Sequence, residues 1–223
     1  MRHEITHSPS YSLLEITLAS GEKMVSDAGA MAWMDPDIQV TTNTRGGVFR
    51  GLKRALLAGE SFFQNTYTAD RDGSQVHLAP GPAGDIRHLA MSGEELFLQK
   101  GAYLASSEGV TIDSKFGGLK GFFNEGLFIL RATGHGDLFF NSYGDIQMVE
   151  VSGEYVIDNG YAVAWESTLD YRLTKAGKIR SFLFSDQIVL RFSGHGRVWV
   201  QSRSPHSFAS WIYPYRRKQS SNN

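Results

Sequence analysis

The chain has 223 residues, 41% of them hydrophobic and 20% charged, with a formal net charge of −1 and no cysteine. That is enough apolar material for a large core, and the near-neutral balance excludes a strongly basic nucleic-acid binder. The lack of cysteine excludes disulfides and thiolate metal sites and favours a cytoplasmic location.

Met1-Arg2-His3-Glu4-Ile5 has no basic segment followed by an apolar one, so no signal peptide is expected. No apolar run approaches about 18 residues, so no membrane-spanning helix is expected either. Glycine is abundant at 24 and proline scarce at 6. Glycines between short alternating runs predict an all-β chain with tight turns.

In chain order, Ser20-Gly21-Glu22 precedes strands at Met24-Val25, around Met31-Ala32-Trp33 and at Ile38–Thr41. Phe49, Leu52, Leu56 and Leu57 have helical spacing, and Gly59 follows as a stop, which predicts a short helix over about 48–58. Residues 70–75 and 79–84 read as loops. Ser92-Gly93-Glu94 then opens a second series: Leu96–Leu98, Gly101–Ala105 and Val110–Ile112. Ser152-Gly153-Glu154 opens a third: Val156-Ile157, Gly160–Trp165 and Leu169–Leu173. Leu130–Ser142 returns, 60 residues later and without a gap, as Leu190–Ser202. Each copy is two alternating runs around Gly-His-Gly, which reads as a β-hairpin turning at Gly134-His135-Gly136 and at Gly194-His195-Gly196. A second helix is predicted over 205–211, with Ser204 as cap and Pro205 at its first position.

The ordered matches divide the chain into three units, at about 11–86, 87–146 and 147–203. They are expected to share one compact domain over 1–210 with pseudo-threefold symmetry, because a single unit has too few strands to bury both faces. Residues 211–223 are expected to be a tail, disordered from about Arg216.

Several motifs carry a family resemblance. They are Leu52–Phe63, Leu78-Ala79-Pro80 with Gly84-Asp85-Ile86, Lys100–Ser106, Glu125–Phe128, Val156–Gly160 and Gly196–Arg203. Together they resemble the altered-inheritance-of-mitochondria family in its uncharacterised prokaryotic branch, over about residues 20–205. The resemblance implies a fold like that of the Trp RNA-binding attenuator protein, a short relative of the double-stranded β-helix, in three pseudo-symmetric copies. It also implies self-association, and for the mitochondrial branch a link to inner-membrane organisation. It brings no catalytic residues with it. Ser185-Asp186-Gln187-Ile188 departs from the family's Gly-Glu-Gly turn, which touches the third unit.

Chemical motifs are sparse. There is no His-x-His, so a metal site of the cupin type would need residues distant in sequence. His135 and His195 read as turn residues. No phosphate loop, nucleophile elbow or dinucleotide fingerprint occurs. Asp85, Asp145, Glu94 and Glu154 recur with the units and read as turn or strand-end residues. No catalytic, cofactor-binding or metal-ligating residue is therefore assigned. Two basic–aromatic groups are candidates for partner contact: Arg50, Lys53 and Arg54 near Phe49, Phe62 and Phe63, and Arg216 and Arg217 beside Trp211, Tyr213 and Tyr215.

The expected function is a non-enzymatic scaffold or interaction protein. It would self-associate into a homo-oligomer through open sheet edges or one apolar face, with a protein or a membrane surface as further partner. No specific nucleic acid is predicted. The alternative is a module that binds a small molecule or RNA in grooves between β units, and a third reading is a cupin-like metalloenzyme.

Overall fold

The computed structural model describes residues 1–43, 63–113, 129–175 and 188–216. The predicted helix over 48–58, with Arg50, Lys53 and Arg54, lies outside them, as do Arg217 and the Ser185-Asp186-Gln187 departure.

Among the described residues the chain is almost entirely β. The strands are β1 (Arg2–Thr6), β2 (Leu13–Leu18), β3 (Lys23–Asp27), β4 (Met31–Met34), β5 (Ile38–Asn43), β6 (Gln64–Ala69), β7 (Ser74–Leu78), β8 (Ile86–Ser92), β9 (Leu96–Gln99), β10 (Tyr103–Ser107), β11 (Val110–Asp113), β12 (Ile129–Asn141), β13 (Ile146–Asp158), β14 (Ala162–Glu166), β15 (Leu169–Lys175) and β16 (Ile188–Gln201). One α-helix follows, α1 (Pro205–Ile212), and a 3₁₀ turn over Tyr213–Tyr215.

The strands form two antiparallel sheets. One is four-stranded in the order β1-β2-β7-β4. The other is twelve-stranded, with a main path β13-β16-β14-β9-β12-β10-β3-β6-β5; β8 and β11 also pair with β12, and β15 with β16. β13 stands at the outer end of that path, hydrogen-bonded to β16 over its full length from Ile146↔Gln201 to Asp158↔Val189.

Side-chain alternation explains how so many strands share one body. On β2, Leu14, Ile16 and Leu18 are buried, while Glu15 and Thr17 between them keep contact with solvent. The strands deeper inside are apolar on both faces. Leu138, Phe139 and Phe140 in β12 are all essentially inaccessible, as expected where both faces of a strand are covered. Leu138 and Phe140 enter a central cluster with Leu98, Leu130 and Trp199. Phe139, pointing the other way, enters an N-terminal cluster with Leu14, Ile16 and Tyr67. β16 divides similarly: Trp199 joins the central cluster, and Val198 joins a C-terminal one with Phe97, Trp165 and Phe192. The three clusters are thus separated by single strands that serve both.

Three antiparallel pairings carry the same irregularity. In β4–β7 the partners step from Met31↔Leu78 to Trp33↔His77, in β10–β12 from Tyr103↔Phe140 to Ala105↔Phe139, and in β14–β16 from Ala162↔Val200 to Ala164↔Trp199. Each is a bulge with one extra residue: Ala32, Leu104 and Val163. A bulge puts two consecutive side chains on one side, and so Val163 and Ala164 both enter the central cluster.

Four features differ from the sequence reading. Gly134-His135-Gly136 and Gly194-His195-Gly196 are not hairpin turns; each lies inside one continuous strand, β12 or β16. The strands are also longer than expected, reaching 13 residues in β12 and β13 and 14 in β16. The reason is the backbone at the glycines. Gly134 and Gly136 have φ of 113° and 130°, a region costly for residues with a Cβ, and they bend β12 without ending it. Before the bend β12 pairs with β9 and β11; after it, with β8 and β10. The bend also admits a neighbouring turn: a Cβ at Gly134 would run into the Gly109 carbonyl oxygen. Third, Ser74, read as loop, begins β7. Fourth, the chain stays helical through Ile212 and Tyr215, inside the segment read as tail.

Candidate functional site

α1 begins where the sequence provides a cap. Ser204 has extended backbone, and its hydroxyl accepts a hydrogen bond from the Ser207 N–H at 3.3 Å; Pro205 occupies the first turn, where its missing N–H costs nothing. The helix ends as Tyr213 donates its N–H to the Ala209 carbonyl and Pro214 falls in the 3₁₀ turn.

Phe208, Trp211, Ile212 and Tyr215 recur at i, i+3, i+4 and i+7 and so share one face. That face is open. No residue of α1 is buried, and exposure runs from 45% at Phe208 to 63% at Trp211 and 75% at Tyr215. The rings form a ladder, with centroids 5.9 Å apart from Phe208 to Trp211 and again from Trp211 to Tyr215. At its inner end Phe208 meets Tyr143 edge-on at 5.9 Å, which ties the helix to the β body. The Arg216 guanidinium lies 3.8 Å from the centre of the Tyr213 ring, a cation–π distance. The result is a contiguous aromatic surface with a cation at its edge. A contiguous exposed apolar patch on a folded protein is a candidate contact surface.

Trp211, Tyr213, Tyr215 and Arg216 are therefore brought together as the sequence reading grouped them. Phe208 and Ile212 belong with them; their helical spacing was readable. Tyr143 was not readable, because only the fold carries it from the end of β12 to the helix.

The other residues singled out are scattered. His135 packs near Gly93, whose N–H donates to the Gly134 carbonyl across the bend. His195 faces Ser152 in the β13–β16 pair. Glu94 accepts the Ser92 N–H at 2.7 Å, and backbone N–H groups hold its carboxyl below the ordinary glutamate range, as befits a turn residue. Asp85 and Asp145, alike in sequence, part ways. Asp145 is exposed. Asp85 is fully buried, accepts hydrogen bonds from the Ser8 and Ser12 hydroxyls at 2.8 Å each, and has the Arg87 guanidinium 3.3 Å away. It knots the β1–β2 connection to the start of β8. No described helix is long and apolar enough to cross a membrane.

Comparison with known proteins gives a consistent result. A family model described as mitochondrial biogenesis AIM24 matches residues 3–203. An uncharacterized protein of Streptococcus pyogenes is 30% identical over 230 aligned residues, covering 96% of this chain and 91% of that one. An X-ray structure of a protein from Streptococcus pyogenes superposes with a TM-score of 0.77 at 27% identity, covering 96% of this chain and 99% of the other.

Proposed function

The chain belongs to the mitochondrial biogenesis AIM24 family, and from that premise we propose that it is a non-catalytic scaffold that self-associates, with the aromatic face of α1 as a contact surface between copies. The observation that carries this reading is the uncovered ladder of Phe208, Trp211 and Tyr215, fixed to the body through Tyr143. An apolar face left in water is costly, at about 25 cal/mol per Å², and a second copy covers it without a further gene product.

Two features of the β body support the same reading. β13 is a 13-residue edge containing neither proline nor lysine, with Met148, Tyr155 and Val156 exposed along it. Isolated proteins guard such edges; assemblies use them. The shared bulge of β4, β10 and β14 supports three related units in the manner of the Trp attenuator fold, and repeated units suit assembly by repeated contacts. A cytoplasmic location is part of the proposal.

Light scattering on size-exclusion fractions tests it. The intact chain is expected to run as an oligomer, and Trp211→Glu with Tyr215→Glu, both on the surface, to shift it toward monomer. A monomeric intact chain, or an oligomer indifferent to both substitutions, overturns the reading.

A membrane surface is the second reading, favoured by Arg216 over Tyr213 beside Trp211, the mixture found on interfacial helices. Sedimentation with anionic vesicles that depends on Trp211 while the oligomer does not would favour it over the first.

A further inference from the structure

Away from α1, the edge strand β1 brings His3 against the β8–β12 ribbon. Register explains what it meets. His88 in β8 is paired with Phe139 in β12, and Asp137 lies two residues before Phe139. Directly opposed residues and residues two apart share a face, so His88, Phe139 and Asp137 project together on the side of the N-terminal cluster. β1 arrives on that side from the other sheet, held to β2 by five paired residues that include His3↔Ile16.

The three side chains converge. His88 Nε2 lies 2.7 Å from Asp137 Oδ1. The His3 and His88 ring centroids are 4.3 Å apart. One potential ligand atom from each of His3, His88 and Asp137 falls within 4.8 Å of the others. Buried Phe139 forms the floor, 4.9 Å from the His3 ring and 5.0 Å from the His88 ring, and restricts both imidazoles. The Asp137 backbone is fixed by its N–H, which donates to the Ser107 hydroxyl at 2.9 Å.

One observation sets this group apart from an ordinary His–Asp pair. His3 Nδ1 is enclosed and has no hydrogen-bond partner among the described residues. An orphaned ring nitrogen has a desolvation cost with nothing to offset it, and its ring sits against a second imidazole, in reach of a carboxylate. We propose that His3, His88 and Asp137 bind one divalent transition-metal ion of the zinc class, which clasps β1 to the β8–β12 ribbon.

The donor set suits that ion. Two imidazoles and one carboxylate are a common zinc and ferrous-iron combination, whereas calcium and magnesium prefer oxygen ligands throughout. Side-chain exposures of 28% for His88 and 25% for Asp137 leave room for entry and for a water as further ligand. Burial first, then the charge of His88, holds the His3 imidazole below the ordinary histidine range. The ligands are separated by 85 and 49 positions along the chain, so no short motif announces them.

The test uses the full chain, stripped with EDTA and dialysed, then titrated with zinc and, for its visible spectrum, cobalt(II). One equivalent should bind, cobalt should develop ligand-field bands, and zinc should raise the melting temperature reversibly. His3→Ala, His88→Ala and Asp137→Asn should each lose the stoichiometric uptake, whereas His135→Ala should keep it. Asp137→Asn preserves shape and can still pair with His88, so its loss of metal is not a folding failure. A chain that takes up no stoichiometric metal, or whose uptake survives His3→Ala and Asp137→Asn, overturns the assignment.

Discussion

At the scale of single residues, identity in sequence does not fix environment. Asp85 and Asp145 occupy the same Gly-Asp-Ile motif, yet one is buried among Ser8, Ser12 and Arg87 and the other is in solvent. Ser204 and Pro205 were legible because a cap acts on its own next turn. The meeting of His3 with His88 was not, because it depends on two sheets coming together. Asp37 illustrates a residue whose surroundings can be titrated. The Ser74 hydroxyl, after it the Asp37 backbone N–H, and then the Arg71 guanidinium at 2.6 Å hold its carboxyl below the ordinary aspartate range. The folded state therefore favours the carboxylate. Its contribution is present above the unfolded value of about 4 and is lost as pH falls through the lower folded value. Urea midpoints measured across a pH series should show Asp37→Asn less stable than the parent at neutral pH, with the difference shrinking below about pH 4.

At the scale of elements, alternation was readable and continuity was not. The apolar–polar runs on either side of each Gly-His-Gly were correctly seen as strand. A glycine with positive φ serves a hairpin turn or an in-strand bend equally well, and only the partner strands decide. Here Gly109 closing on Gly134, and β8 and β10 waiting beyond it, make the bend. Gly134→Ala should destabilise the fold by about 1–3 kcal/mol or more, because it meets both an unfavourable φ and the Gly109 oxygen. Gly101→Ala, with open space around it, should be close to neutral. Chemical denaturation of the two variants checks this. β1 escaped the three-unit division altogether: it precedes the first Ser-Gly-Glu, and its five residues declare themselves only by pairing with β2.

At the scale of the whole molecule, the all-β class follows from glycine-punctuated alternation, while the layering does not. Leu138-Phe139-Phe140 is apolar without period, which signals burial but cannot say that two different clusters claim adjacent residues. Because β12 and β16 each line two clusters, the clusters are expected to unfold together. Phe139→Ala and Phe140→Ala should each cost about 3–5 kcal/mol, although they face opposite ways. Both should leave a single transition that circular dichroism and tryptophan fluorescence report at the same midpoint. Separate transitions would mean that the clusters behave as separate domains.

The three bulges bear on how the chain can change in length. A one-residue insertion or deletion within a regular strand turns every later side chain to the opposite face. At Val163 the outcome differs. With that residue removed, Ala162, Ala164 and Trp165 still have Val200, Trp199 and Val198 as partners, and each keeps the side it already occupies. Leu104 stands in the same relation to Tyr103 and Ala105. These are the slots where the fold can absorb a single-residue deletion without turning a strand inside out.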